Sequence, residues 1–136
     1  MPSPADPVTG TGTSRSTSNS VAPVDIVRRY VEEIYHEGHV EVVREICGDP
    51  MLRHDPGSQT ALSHQQQIDR INTDLPQWQP YFTPAVLAGD DEHAVLVWTA
   101  VGRTADRTLA GIEVFRVVDG RITDVWNSPY ATEPWA

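Results

Sequence analysis

The chain has 136 residues, enough for one domain and too few for two, with 10 basic and 19 acidic side chains and a formal net charge of −9. That balance argues against a nucleic-acid partner, which needs clustered Lys and Arg, and against an anionic membrane surface. A single cysteine, Cys47, excludes an internal disulfide and reads as a small core residue rather than a nucleophile.

Residues 1–22 are Ser, Thr, Pro and Gly with almost no large apolar side chains. Such a stretch cannot bury enough surface to offset its ordering entropy, so a disordered tail is expected there, and it carries no apolar core of a secretory signal. No run reaches the length of a membrane span, and a cytoplasmic location is expected. The folded domain is expected over residues 23–136.

The spacing predicts a first helix over residues 23–37, where Val24, Val27, Val31, Ile34 and Tyr35 recur every three or four positions. Pro23 suits its first turn and Gly38 its end. A second short helix is expected over 39–47, with Val40, Val43, Ile46 and Cys47 inward, and Gly48-Asp49-Pro50 should break the chain. Residues 51–55 read as a short strand stopped by Pro56-Gly57. A third helix is expected over 63–75, opened by a capping box between Ser63 and Gln66 and closed by Pro76. The remainder is strand-like. Residues 79–88, interrupted by Pro80 and Pro84, suggest an edge strand. Strands over 94–101, 108–118 and 121–127 follow, the last two joined by the hairpin signal Asp119-Gly120. Three helices, one short strand among them and four strands in hairpins make an α+β layout with a curved, mostly antiparallel sheet. Helices against its concave face would enclose a pocket.

Three polar positions do not fit a pure core role. Tyr30 lies beside the apolar stripe of the first helix; the alternative is a half-buried aromatic with a wet hydroxyl. Asp55 ends a strand; the alternative is turn chemistry before Pro-Gly. Glu113 shares a strand face with Leu109, Phe115 and Val117, so the alternation points it inward, where burial raises a carboxyl pKa. A bulge that turns it outward, or an Arg partner, is the other reading. The tryptophans at 78, 98, 126 and 135, with Tyr81, Phe82 and Tyr130 nearby, fit either an aromatic-lined pocket or ordinary core and dimer packing. His36 and His39 flank Gly38, and the five histidines form no ligand cluster, so no metal is expected. There is no phosphate-binding Gly-rich loop and no nucleophile elbow.

Tyr30, the pair Asp55-Pro56 and the run Glu113-Val114-Phe115-Arg116 resemble bacterial ketosteroid isomerase, which has a helix-one Tyr, an Asp before Pro, and an acid two residues before Phe-Arg. The chain is more similar to SnoaL-like proteins of the same NTF2-like superfamily. His54-Asp55-Pro56 looks like their "His-Asn/Asp-Pro" strand, and Phe115 to Asn127 like their "Phe-Arg…Gly-Lys-Ile…Glu-His-Trp-Asp" ending. The resemblance implies a cone-shaped fold, a sheet-to-sheet homodimer, and cofactor-free acid–base chemistry on a hydrophobic polyketide- or steroid-like carbonyl compound. It casts Asp55 as the proton shuttle, Tyr30 and Glu113 as oxyanion donors, and His54 as a neighbour packed behind Asp55 or exchanged with it by a bulge. Trp98, Phe115, Val125 and Asn127 are the expected substrate contacts. Two positions depart from the family: Val125 stands for its His and Asn127 for its Asp, and Asn127 cannot act as a base. Epoxide opening, with Arg53 or Arg70 between carboxylates, and a non-catalytic ligand-binding module are the alternatives.

Overall fold

A computed structural model describes residues 21–136. The tail expected over residues 1–22 lies almost wholly outside the described residues, and so does the segment read for a secretory signal. Helix α1 (Pro23–Arg29) starts with its proline in the first turn and runs on as a π-helical stretch, Tyr30–His36. Ile26, Val27, Val31 and Ile34 are buried, whereas Val24 and Tyr35 are only half-buried against the core. The expected second helix is split into a 3₁₀ turn (Val40–Val42) and α2 (Val43–Ile46).

The first strand is longer than its apolar pattern suggests. Strand β1 spans Cys47–Asp55, so Gly48-Asp49-Pro50 interrupts its register without ending it. Pro56-Gly57 is a hairpin turn into β2 (Ser58–Leu62), a strand absent from the sequence reading. Four of its five residues are exposed, so no alternation marks it. Helix α3 (His64–Trp78) has the expected cap: Ser63 Oγ accepts from Gln66 N–H at 3.1 Å and Gln66 Oε1 accepts from Ser63 N–H at 2.9 Å. Pro76 does not close α3. In the final turn a proline forfeits only one backbone bond, and Trp78, 3% exposed, anchors the extension.

Strands β3 (Pro80–Gly89), β4 (His93–Gly102), β5 (Thr108–Val118) and β6 (Arg121–Asn127) follow as expected. Asp119 and Gly120 have φ of 52° and 75°, the left-handed pair that a two-residue hairpin needs. The sheet order is β2-β1-β6-β5-β4-β3. All pairings are antiparallel except β1 with β6, which is parallel. Six strands, not five, therefore form a mixed sheet. Helix α1 packs across β3, β4 and β5, and α3 across β1 and β2. The core between the layers is built on Phe115, Ile34, Ile46, Leu96 and Ile122, all 2% exposed or less.

Candidate active site

Between the helices and the sheet lies a cavity of about 560 Å³. Its walls include Tyr30, Val31 and Tyr35 from the first helix, Met51 and Arg53 from β1, Ile71 and Trp78 from α3, Leu96 and Trp98 from β4, Glu113 from β5 and Val125 from β6. Asp69, Arg70, Asp74 and Arg107 add charge to its lining.

The register explains which side chains enter. Leu96 lies opposite Glu113, Glu113 opposite Asn127, and Phe115 opposite Val125, so all five share the inner face. On β1 the alternation puts Met51, Arg53 and Asp55 on the inner face and His54 on the outer one. His54 stacks on Trp126, ring centroids 4.7 Å apart, and its Nε2 lies 2.9 Å from Asp124. Of the residues expected to carry the chemistry, the structure thus brings Tyr30 and Glu113 into the cavity and leaves His54 on the other side of the sheet. Asp55 sits beside Arg53, with Arg53 Nε donating to its carboxylate at 3.2 Å, and is not part of the cavity wall. Of the expected substrate contacts, Trp98 and Val125 line the cavity. Phe115 is fully buried behind Tyr30, with rings 5.7 Å apart. Asn127 is buried beneath Tyr130 and does not reach the cavity wall.

The polar centre of the cavity is Glu113. Burial among apolar groups pushes its carboxyl up to about 7, against the lowering pull of a hydrogen bond from Tyr130 and of the Arg53 charge. Tyr130 Oη lies 3.1 Å from Glu113 Oε2 and 3.2 Å from Asn127 Oδ1, and Arg53 Nη2 reaches the same hydroxyl at 3.5 Å. Burial works against the Arg53 charge, yet Tyr130 and Asp55 more than offset it, so the guanidinium is held firmly protonated. Tyr30 and Tyr35 pack edge to face, 5.4 Å apart. Burial, with the nearby Glu113 adding to it, keeps both phenols protonated, Tyr35 up to about 12. The arrangement is a carboxyl that titrates near neutrality beside phenols that stay protonated and the Arg53 guanidinium.

Sequence reasoning weighed Tyr130 only as one more aromatic and Arg53 only for epoxide chemistry. Tyr130 lies in an irregular terminal segment with no period to place it. The parity of β1 could have found Arg53, since it shares a face with Met51. Among the described residues no group of three or more His, Cys, Asp and Glu could hold a metal ion, and no helix is long and apolar enough to cross a membrane.

Residues 27–125 match the family model described as SnoaL-like domain. Among solved structures, the chain is similar to a candidate polyketide cyclase from Acidithiobacillus ferrooxidans, at 20% identity and TM-score 0.65 over 83% of this chain and 89% of that one. A candidate ketosteroid isomerase from Kribbella flavida aligns at 20% identity and TM-score 0.65, over 84% and 82% of the two chains. An M. tuberculosis LEH-like epoxide hydrolase aligns at 14% identity and TM-score 0.66, over 80% and 82%. At these identities the likeness is one of fold. No curated protein sequence matches the chain.

Proposed function

The chain belongs to the SnoaL-like domain family, and from that premise we propose that it is an enzyme that moves a proton on the carbon skeleton of a hydrophobic carbonyl compound with its own side chains alone. The products of such a step are a shifted double bond or a closed ring in a polyketide- or steroid-like molecule. The observation that carries this reading is Glu113, an inward carboxyl that titrates at about 7 within the cavity wall. A base is most effective when its pKa lies near the working pH. Ionised Glu113 takes the proton next to the carbonyl, and the electron pair of the broken C–H bond moves onto the carbonyl oxygen. The Tyr30 hydroxyl and the Arg53 guanidinium, which line the same cavity, are the donors for that oxygen. Protonated Glu113 then returns the proton to another carbon, which shifts the double bond. In ring closure the enolate carbon instead bonds to a second carbonyl carbon of the same molecule, whose π pair moves onto its oxygen, and Glu113 gives the proton to that alkoxide. Asp55 serves here as the anchor of Arg53 rather than as the base, because its carboxylate is held by that guanidinium. A cavity of about 560 Å³ suits a ligand of two to four rings.

The test is deuterium uptake. 2-Tetralone and similar hydrophobic ketones, incubated with the protein in D₂O, should lose their α-proton NMR signals faster than in buffer. Glu113→Gln should slow that exchange by about 10²-fold or more. Equal rates for the two proteins, or no acceleration over buffer with any ketone of the panel, would overturn the proposal.

One observation favours a second reading, epoxide opening: Arg53 lies between Asp55 at 3.2 Å and the Tyr130–Glu113 pair. Incorporation of ¹⁸O from labelled water into a diol product distinguishes it. If neither reaction occurs but hydrophobic ligands raise the melting temperature, the domain is a binding module. For any of the three, the outer sheet face supports a homodimer. It presents Val86, Val101 and Trp126, 40–50% exposed, beside Val95, Val97, Ile112 and Val114.

A further inference from the structure

The C-terminal residues 128–136 do not leave the domain freely. They run back along the edge of the site as a strap. Ser128 exchanges hydrogen bonds with Ile112, its N–H to the Ile112 carbonyl and its Oγ accepting from the Ile112 N–H, both at 3.0 Å. Ala131 and Ala110 exchange N–H···O bonds at 2.9 Å each. Trp135 donates its indole N–H to the Trp98 carbonyl at 3.0 Å. Between these anchors Tyr130 is laid against the sheet. Its ring meets Trp98 edge to face at 5.1 Å and covers Gly111. A Cβ on residue 111 would come within 2.8 Å of both the Tyr130 and the Trp98 rings, so the glycine leaves the space that the tyrosine fills.

Tyr130 Oη then faces two acceptors, Glu113 Oε2 and Asn127 Oδ1. A phenol has one proton and can satisfy only one of them at a time. When Glu113 is ionised, the phenol donates to the carboxylate. When Glu113 is protonated, its O–H donates to Tyr130 Oη, and the phenol turns its own proton to Asn127 Oδ1. Only a rotation about the phenol C–O bond separates the two states, and neither leaves the carboxyl unpartnered. An Asp at 127 would set a second negative charge beside the same hydroxyl. The amide supplies an acceptor that carries no charge.

We infer that Tyr130 is the positioning residue of Glu113: carried in on the C-terminal strap and backed by Asn127, it holds the carboxyl in one place through both its charged and its neutral forms. The inference rests on Glu113 being the proton-carrying group proposed above. The other charged or titratable groups facing Glu113 are Arg53 and Asp55 from β1 and Tyr30 and Tyr35 from the first helix. Tyr130 is the one contributed by the strap.

The test reads the Glu113 carboxyl directly, by ¹³C NMR of protein labelled at glutamate Cδ, with Glu113→Gln assigning the signal. Tyr130→Phe keeps the ring contact with Trp98 and removes the hydrogen bond that favours the ionised form. The titration midpoint should therefore rise by about one pH unit. The pH at which 2-tetralone exchange reaches half its maximum should rise with it, at little change in KM. Gly111→Ala, which pushes the intact phenol away, should move the midpoint in the same direction. A midpoint that stays put or falls in Tyr130→Phe overturns the inference even if exchange persists. A midpoint that rises in a protein with no exchange activity upholds the pairing and removes the catalytic reading instead.

Discussion

Glu113 should cost the fold stability at the pH where it is useful. Its carboxyl rises from an ordinary 4.5 to about 7 on folding, mainly through burial. The folded state therefore binds this proton more tightly than the unfolded state does. Below pH 4.5 both states are protonated and the native environment is not penalised. As pH rises from 4.5 towards 7 the unfolded chain ionises first, and native stability falls. Above 7 the full penalty applies, about 3 kcal/mol at roughly 1.4 kcal/mol per pH unit. Glu113→Gln removes the titration while keeping the shape and a donor for Tyr130. The variant should therefore match the wild type near pH 4.5 and exceed it by up to about 3 kcal/mol at pH 8. For a folded part of this size that is a melting-temperature gain on the order of 10 °C. Urea denaturation of both proteins at several pH values measures the difference. A difference that is flat across pH 4.5–8, or that shrinks as pH rises, refutes the burial of Glu113 in the cavity wall.

Other expectations are more local. Ser63→Ala removes the side-chain arm of the capping box at α3, leaving the Gln66 arm to the backbone N–H, and should cost about 1 kcal/mol in the same assay. The Cys47 thiol, fully buried and pushed up to about 12 by that burial, should resist iodoacetamide in the native protein at pH 8 and react only on unfolding. Rapid modification of native protein would contradict its burial. The homodimer proposed on the outer face should be read in light scattering of the wild type, and Trp126→Lys should turn it into a folded monomer. A dimer that survives the substitution would place the contact elsewhere.

The inward set of β5 and β6 was legible because successive side chains along a strand point to opposite faces. That alternation alone put Glu113 and Val125 on one face and Trp126 on the other. It failed for β2, where both faces are exposed, and at Pro76, where a rule that holds inside a helix does not bind its last turn. The parallel union of β1 with β6 has no local signature, because it depends on where the chain returns and not on what either strand contains. Without that union, Arg53 had no reason to meet Glu113. Tyr130 escaped for a related cause. Its position follows from three anchors along the strap, and two of them are plain backbone contacts to Ala110 and Ile112.

The β1–β6 ladder also bears on how the molecule comes into being. Arg53 and Glu113 stand on strands that flank β6, so they become neighbours only when an early segment docks beside the last one. Closing so long a loop is entropically slow compared with zipping the β3 to β6 hairpins. A chain with those hairpins formed but β1 still undocked would hold Glu113 without its counter-charge, in a site open to water. The proposed proton transfer would then belong to the finished molecule alone, once β1 has brought Arg53 to the side of Glu113.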